Sequence, residues 1–472
     1  MLFNSLQFLF GFLPIAYLVF WRMRTRQGRF LCLAVTGYLF YSFWDPRFCL
    51  LMAFTTLVSY SAGLGFLRWT DPVRRRLLLV VPISVDLTVL GYFKYAGFLL
   101  DGTNRAGGLF GMELGLPVVS VILPVGISFY TFHTITYVVD SYRGVVKPTR
   151  NLFEFAAYVS LFSQLVAGPI VRFREVQQDL ETLETASRTE RLNVGWSFFA
   201  IGLAEKVLIA DTIASVIDPA LKHVGELSMV SAWLCAVGYS YQLYFDFSGY
   251  SSMAVGLGLL FGITIPQNFH SPYKADSPSD FWRRWHISLS SCLRDYLYIP
   301  LGGSRGAAWE TSRNLLVTML IGGLWHGANW TFVVWGGYHG LLLVAQRALG
   351  RRWTELPQRM RQGTTFLLVV IGWVLFRSES FAMAGQWLGV MVGWGGAGIV
   401  PTQLAGMGLM PGTLGLVAAG SVAAYLAHVA PNVFEIKHAW RPVQAVGLAV
   451  IFTVCVLLLF RGQPSPFLYF QF

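Results

Sequence analysis

Charge is what this chain most lacks. Asp, Glu, Lys and Arg make up 12% of its 472 residues, about half the roughly 25% of an ordinary soluble protein. A surface so poor in charge cannot cover a chain of this length in water. That excludes a soluble two-domain enzyme, a coiled coil and a disordered chain. Lysine is rarer still, six residues against 29 arginines. Cysteine supplies only positions 32, 49, 235, 292 and 455, with no C-x-x-C pair. This odd, unspaced set argues against a disulfide framework or a zinc site, and the thiols read as small core residues.

Hydrophobic residues are plentiful, at 55% of the chain, and mean hydropathy is +0.54. They come in long runs rather than alternating, which argues against a β-barrel. The reading is an all-α polytopic membrane protein with about 11–13 membrane segments, some short or re-entrant. Two runs, 229–265 and 314–346, are too long for one span, since 33 residues reach about 50 Å across a core of about 30 Å. The first is expected to break at Ser248–Gly249 and the second near Gly327.

The net charge of +11 would suggest nucleic acid in a soluble protein. Here the basic residues sit in short loops. Loops 22–29, 68–76 and 141–150 hold eleven of them, and the alternate loops hold Arg47, Lys94 and Arg105. The positive-inside rule then puts the first loop in the cytoplasm and the N-terminus outside. The N-terminal run lacks a basic leading region and a clear cleavage site, so it reads as a first span.

Two polar segments interrupt the pattern. Residues 171–193 read as a solvated surface helix. Residues 266–313 are less ordinary. Ser277 as N-cap, Pro278 at the first helical position and Asp280 closing a capping box predict a helix running to Ile299. It is too polar for lipid and must lie at the interface or line a cavity. Gly302-Gly303-Ser304-Arg305-Gly306 fits the serine-hydrolase elbow pattern but follows a helix and Pro300, so it reads as a tight loop.

Ionisable groups inside apolar runs carry the functional signal, because lipid makes them costly. His326 stands in the middle of the uncharged stretch between Arg313 and Arg347, with Gly322, Gly323 and Gly327 around it. Asn329, three residues on, would share its helical face and could orient its ring. His339 lies 13 residues further, on another face, and partners His326 only if the chain reverses between them. His286, on the polar helix, suits a structural or a functional role equally, and so does His133. Asp246 reads as a structural partner of Arg283 or Arg284. The C-terminus, 462–472, is aromatic: an interface anchor, or an arm that docks in a cavity and presents Tyr469.

Several stretches together resemble the membrane-bound O-acyltransferase family, in particular its bacterial alginate O-acetyltransferase branch. They are Phe129–Phe132 through Asp140–Gly144, QLVAGPIVR at 164–172, YFDFSGYSSMAVGLG at 244–258, Asn268–Gly306 and Gly322–Gly340. They span about 125–340 within a single membrane domain, 1–472. The resemblance implies a ring of about eleven transmembrane helices, with re-entrant and interfacial helices, around a central funnel. It implies that His326 and His286 are catalytic, and that Tyr469 takes the acyl group transiently. Trp325, Asn329, Trp285 and Arg283, neighbours of the two histidines, are the expected substrate-binding side chains. It further implies a thioester donor such as acetyl-CoA, no bound cofactor or metal, and an inner-membrane location. With no serine-histidine-aspartate set in the chain, an extracytoplasmic partner with its own nucleophile is expected to modify the polysaccharide. The other readings are a transporter without chemistry, a D-alanyl-type transferase fed by an acyl carrier protein, and a scaffold for an export complex.

Overall fold

The computed structural model describes residues 1–117, 121–166, 168–395, 413–438, 440–462, 465, 467 and 468, with side chains at all of these but 190 and 413–416. They are all-helical: 76% of the chain is helix, and no strands occur among the described residues.

One compact unit is formed by Met1–Trp196 with Ala254–Pro266. It holds α1 (Leu13–Arg22), α2 (Arg26–Ser42), α3 (Arg47–Arg68), α4 (Pro72–Leu90), α5 (Ala96–Leu109), α6 (Ile127–Arg143), α7 (Leu152–Val159), α8 (Phe162–Leu165), α9 (Phe173–Glu181) and the first half of α10 (Arg188–Ala204). Its basic loops are built rather than loose. Thr25 caps α2 by accepting from the Gly28 amide at 3.1 Å, and Asp71 caps α4 from the Arg74 amide at 2.8 Å. Arg26 reaches the Glu181 carbonyl at 3.0 Å. The surface helix expected over 171–193 is shorter, α9, which ends at Thr182.

The second unit is Ser197–Met253 with Gln267–Phe472. It holds the rest of α10, then α11 (Asp211–Leu221), most of α12 (Met229–Leu260), α13 (Pro278–Arg284), α14 (Ile287–Leu293), α15 (Ala308–His326), α16 (Trp330–Leu349), α17 (Arg351–Thr354), α18 (Gln358–Arg377), α19 (Phe381–Met391), α20 (Thr413–His428) and α21 (Pro442–Arg461). Among the described residues, three helical stretches are long and apolar enough to cross a membrane: Arg47–Arg68, Pro72–Leu109 and Pro442–Arg461. Other helices carry buried polar side chains that lower their hydropathy. In α6 alone, Thr131, His133, Thr134, Thr136, Asp140 and Ser141 are all buried.

Two expected breaks come out differently. The 314–346 run does reverse at Gly327, between α15 and α16. The 229–265 run does not break at Ser248–Gly249: α12 is one helix of 32 residues, about 48 Å long. Gly249 serves close packing instead. A Cβ there would lie 2.6 Å from the Gly202 carbonyl oxygen, and one at Gly202 would lie 2.5 Å from that of Gly249. Ser248 spends its hydroxyl on Glu205 at 2.7 Å, not on its own backbone. The Gly302–Gly303 loop is tight as expected, with φ of 112° and 59°, and Ser304 bonds to the Tyr298 hydroxyl at 2.7 Å.

Gly202→Ala should therefore destabilise the protein by about 1–3 kcal/mol, because the obstacle is backbone that cannot move aside. Gly420→Ala, with nothing within 4 Å, should be neutral or gain up to about 1 kcal/mol from helix propensity. Thermal unfolding in detergent checks the pair, and equal melting temperatures would refute the packing role.

Candidate active site

The polar helix expected over Ser277–Ile299 starts as read. Ser277 caps it, accepting from the Asp280 amide at 3.3 Å. Asp280 does not complete a capping box, because its carboxylate takes Arg284 Nε at 2.9 Å instead. The helix then breaks after Arg284. His286 has φ of 44°, a left-handed conformation that costs a non-glycine residue about 1–3 kcal/mol, although histidine is among the side chains that adopt it. The chain resumes as α14 and ends in a π-helical turn, Arg294–Tyr298.

A neighbouring segment supplies the backbone bonds that the break removes. His270 N–H donates to the Arg284 carbonyl and Ile287 N–H to the Asn268 carbonyl, both at 2.9 Å. The Asn268 side chain does the rest. Its Oδ1 accepts from the Ser288 amide at 3.2 Å, from Ser288 Oγ at 2.9 Å and from His286 Nδ1 at 3.2 Å. Its Nδ2 donates to Ser251 Oγ at 3.3 Å. A backbone N–H can only donate, so the atom facing Ser288 is the amide oxygen. An oxygen that accepts from His286 Nδ1 puts the imidazole proton on that nitrogen. The Nε2 lone pair is then free: it is buried, and no hydrogen-bond partner meets it among the described residues.

His326 arrives from the other direction, as the last residue of α15. Glycines let α15 and α16 close into a tight hairpin: a Cβ at Gly323 or Gly336 would collide with the Phe332 or Met319 carbonyl. This lays Trp335 edge-on to His326, ring centroids 5.0 Å apart, with Phe376 at 5.4 Å and Trp325 at 5.1 Å. The His286 and His326 rings are 6.4 Å apart, and Trp325 lies 6.0 Å from His286. Two imidazoles separated by 40 residues of sequence thus share one aromatic, largely water-free cage.

The other expected residues fall as follows. Trp285 is buried among Trp373 at 4.8 Å and Phe269 at 5.0 Å, whereas Arg283 is exposed. Asn329 does not share a helical face with His326, because α15 ends first. Asn329 caps α16 through the Thr331 amide at 3.1 Å and donates to the Glu379 carbonyl at 2.9 Å. His339 packs on Trp335, one turn back on the same helix, at 5.0 Å, and on Trp282 of the polar helix at 5.2 Å. His133 is buried in the first unit against Tyr158. The partner of Asp246 is Lys206, not Arg283 or Arg284. None of the five cysteines is in a disulfide among the described residues.

The C-terminal segment enters the second unit. Phe467 packs on Tyr250 at 4.8 Å and on Phe247 at 5.4 Å. Phe247 in turn stands edge-on to His286 at 4.7 Å. The reading of an arm that docks is therefore met for the described residues 465, 467 and 468. Tyr469 lies outside the described residues. Sequence reasoning missed Asn268, Phe247, Trp335 and Lys206. Lys206 alone left a signal, as a lysine inside the apolar run 194–217.

The family model for MBOAT, membrane-bound O-acyltransferase family, matches residues 125–379, which include both cage histidines. A probable alginate O-acetylase of Pseudomonas putida is 42% identical over all of both chains, and one of Pseudomonas aeruginosa is 39% identical, again over all of both. A peptidoglycan O-acetyltransferase of Helicobacter pylori is 35% identical over 84% of this chain and 81% of its own.

Asn268→Ala strips the acceptor from three buried donors and should lower stability by about 1–3 kcal/mol. Asn268→Asp, which keeps an acceptor oxygen, should lose less. The melting temperatures of the two variants decide this, and the imidazole ¹⁵N shifts of His286 should report loss of the Nδ1–H preference only in the alanine variant.

Proposed function

The chain belongs to the membrane-bound O-acyltransferase family and is a membrane acyltransferase with O-acetyltransferase relatives, and from that premise we propose that it carries an acetyl group across the membrane. The group comes from a cytoplasmic thioester, acetyl-CoA, and is passed on for O-acetylation of an extracytoplasmic polysaccharide. The fold we associate with this is a ring of about eleven transmembrane helices around a funnel, in the inner membrane, with the N-terminus outside.

A thioester carbonyl is already electrophilic, so the missing element is a deprotonated oxygen nucleophile. A phenol, which ordinarily ionises near pH ~10, gives up its proton more readily than a sugar hydroxyl. His326 removes the proton of the Tyr469 hydroxyl, a step worth about 10²–10⁴ in rate. The phenolate oxygen attacks the thioester carbonyl, the C–S bond breaks, and the thiolate leaves with the proton held on His326. His286 orients the donor by accepting, at its free Nε2, a hydrogen bond from an amide N–H of the donor's thiol arm. Trp325 and Trp285 bind substrate beside the pair, and Asn329 and the exposed Arg283 bind it outside the cage. The acetyl-tyrosine is then relieved by a partner outside the membrane that carries its own nucleophile.

The observation that carries this reading is the cage: two imidazoles 6.4 Å apart, walled by Trp325, Trp335 and Phe376, with the docked C-terminal segment reaching the same wall through Phe247. The relatives' names, alginate O-acetylase and peptidoglycan O-acetyltransferase, point to a polysaccharide as the final acceptor.

Intact mass and peptide mapping after incubation with labelled acetyl-CoA test it. An acetyl group on the C-terminal peptide is expected in the wild type and none in Tyr469→Phe. His326→Ala should lose at least 100-fold in loading rate while melting at the wild-type temperature. Wild-type loading in His326→Ala would overturn the assignment of the base.

A further inference from the structure

Lys206 and Asp246 are charges buried in the second unit, with Asp211 half-buried beside them, and the proposed reaction does not use them. Lys206 and Asp246 are 97–98% buried. The Lys206 ammonium meets one carboxylate oxygen of Asp246 and Asp211 Oδ1 at 2.8 Å. Two carboxylates against one ammonium leave an excess of acceptor, and a site of that kind favours a group that donates. What it holds is the C-terminal segment. The backbone N–H of Leu468 donates to the second oxygen of Asp246 at 2.8 Å, and Lys206 reaches Ser465 Oγ at 3.2 Å. The aromatic contacts of Phe467 close the other side, on Tyr250 and Phe247 of α12. Asp246, Phe247 and Tyr250 occupy consecutive turns of one helix, so a single element presents both the carboxylate and the aromatic wall. Phe467 and Leu468 are only 2% and 3% exposed, a degree of enclosure foreign to a loose membrane anchor.

We propose that Lys206 and Asp246 form a socket for the chain's own C-terminal segment and are positioning residues for the transfer. They fix the residue that precedes Tyr469 and so hold the tyrosine at the cage. The socket itself follows from the contacts of residues 465–468. The positioning role rests on the reading of Tyr469 given under Proposed function. The buried ion pair thereby has a use beyond cohesion: a carboxylate whose second oxygen is reserved for one backbone N–H recognises the backbone and not a particular side chain. Selectivity for this segment then falls to Phe467, and the Lys206–Ser465 bond sets its direction.

The test uses the full chain in detergent micelles and measures how fast carboxypeptidase trims the C-terminus, by intact mass. Wild type should resist trimming through Leu468. Asp246→Ala, which removes the acceptor, should be trimmed at least 10-fold faster, and Asp246→Asn, which keeps one oxygen for the Leu468 amide, at an intermediate rate. Phe467→Ala changes only the segment and leaves the helices untouched, so it remains informative if Asp246→Ala fails to fold, and it too should be trimmed at least 10-fold faster. Trimming at the wild-type rate in Phe467→Ala and in folded Asp246→Ala overturns the socket. Acetyl loading of the C-terminal peptide is read on the same samples. Loading that falls at least 10-fold in step with release supports positioning, and undiminished loading in a released variant overturns it. A wild type that resists trimming yet never loads would instead overturn the tyrosine relay and leave the socket standing.

Discussion

The structure of the candidate active site depends on one side-chain amide. A helix broken inside a membrane protein leaves backbone donors and acceptors that neither lipid nor water will satisfy. Asn268 and the segment around it take over those groups at the break after Arg284. With them satisfied, His286 can adopt a left-handed backbone and turn its ring toward the cage. The same oxygen that repairs the backbone also sets the tautomer of His286. Local structure and chemical state are thus decided by a single group.

The cage is assembled by glycine as much as by aromatic residues. Gly323 and Gly336 bring α15 and α16 close enough for Trp335 to cover His326. The aromatic side chains provide a dry enclosure, where electrostatic interactions are stronger than in water. The charges of Lys206, Asp211 and Asp246 lie elsewhere in the unit, on α11, α12 and the π-helical turn 205–210. There the Lys206–Asp246 contact engages the C-terminal segment.

Glycine pairs show why breaks are hard to read. Gly249 and Gly327 look alike in sequence, as small residues within long apolar runs. Gly327 follows His326 at a true reversal, capped by Asn329. Gly249 lies against Gly202 inside a continuous helix. What separates them is what each faces: Gly249 meets the backbone of another helix and Gly327 the Phe332 ring on the helix after the turn, and periodicity carries no trace of it. The partner of Asp246 was hidden for a similar reason. Arginines stood nearer in the reading of 266–313, but Arg284 is drawn to Asp280 four residues back on its own helix, and only the packing of α12 on the turn at 205–210 delivers Lys206.

The sequence by itself determined the class of the molecule. Scarce charge and long apolar runs fix an all-helical membrane protein, since only helices and closed barrels satisfy a backbone in lipid and these runs do not alternate as a barrel's would. The resemblance of its polar segments to one family fixed the kind of chemistry, and the isolation of His326 in an uncharged stretch marked it out. Residues near in the chain were also legible, such as the Ser277 cap and the Gly302–Gly303 loop, because local bonds decide them. Tertiary structure alone decided that His286 and His326 face one another across 40 residues and that Asn268 sets the ring of His286. It alone seated the C-terminal segment on Asp246. These are long-range pairings of buried polar groups. Each group must find some partner, but which partner it finds depends on how the helices pack.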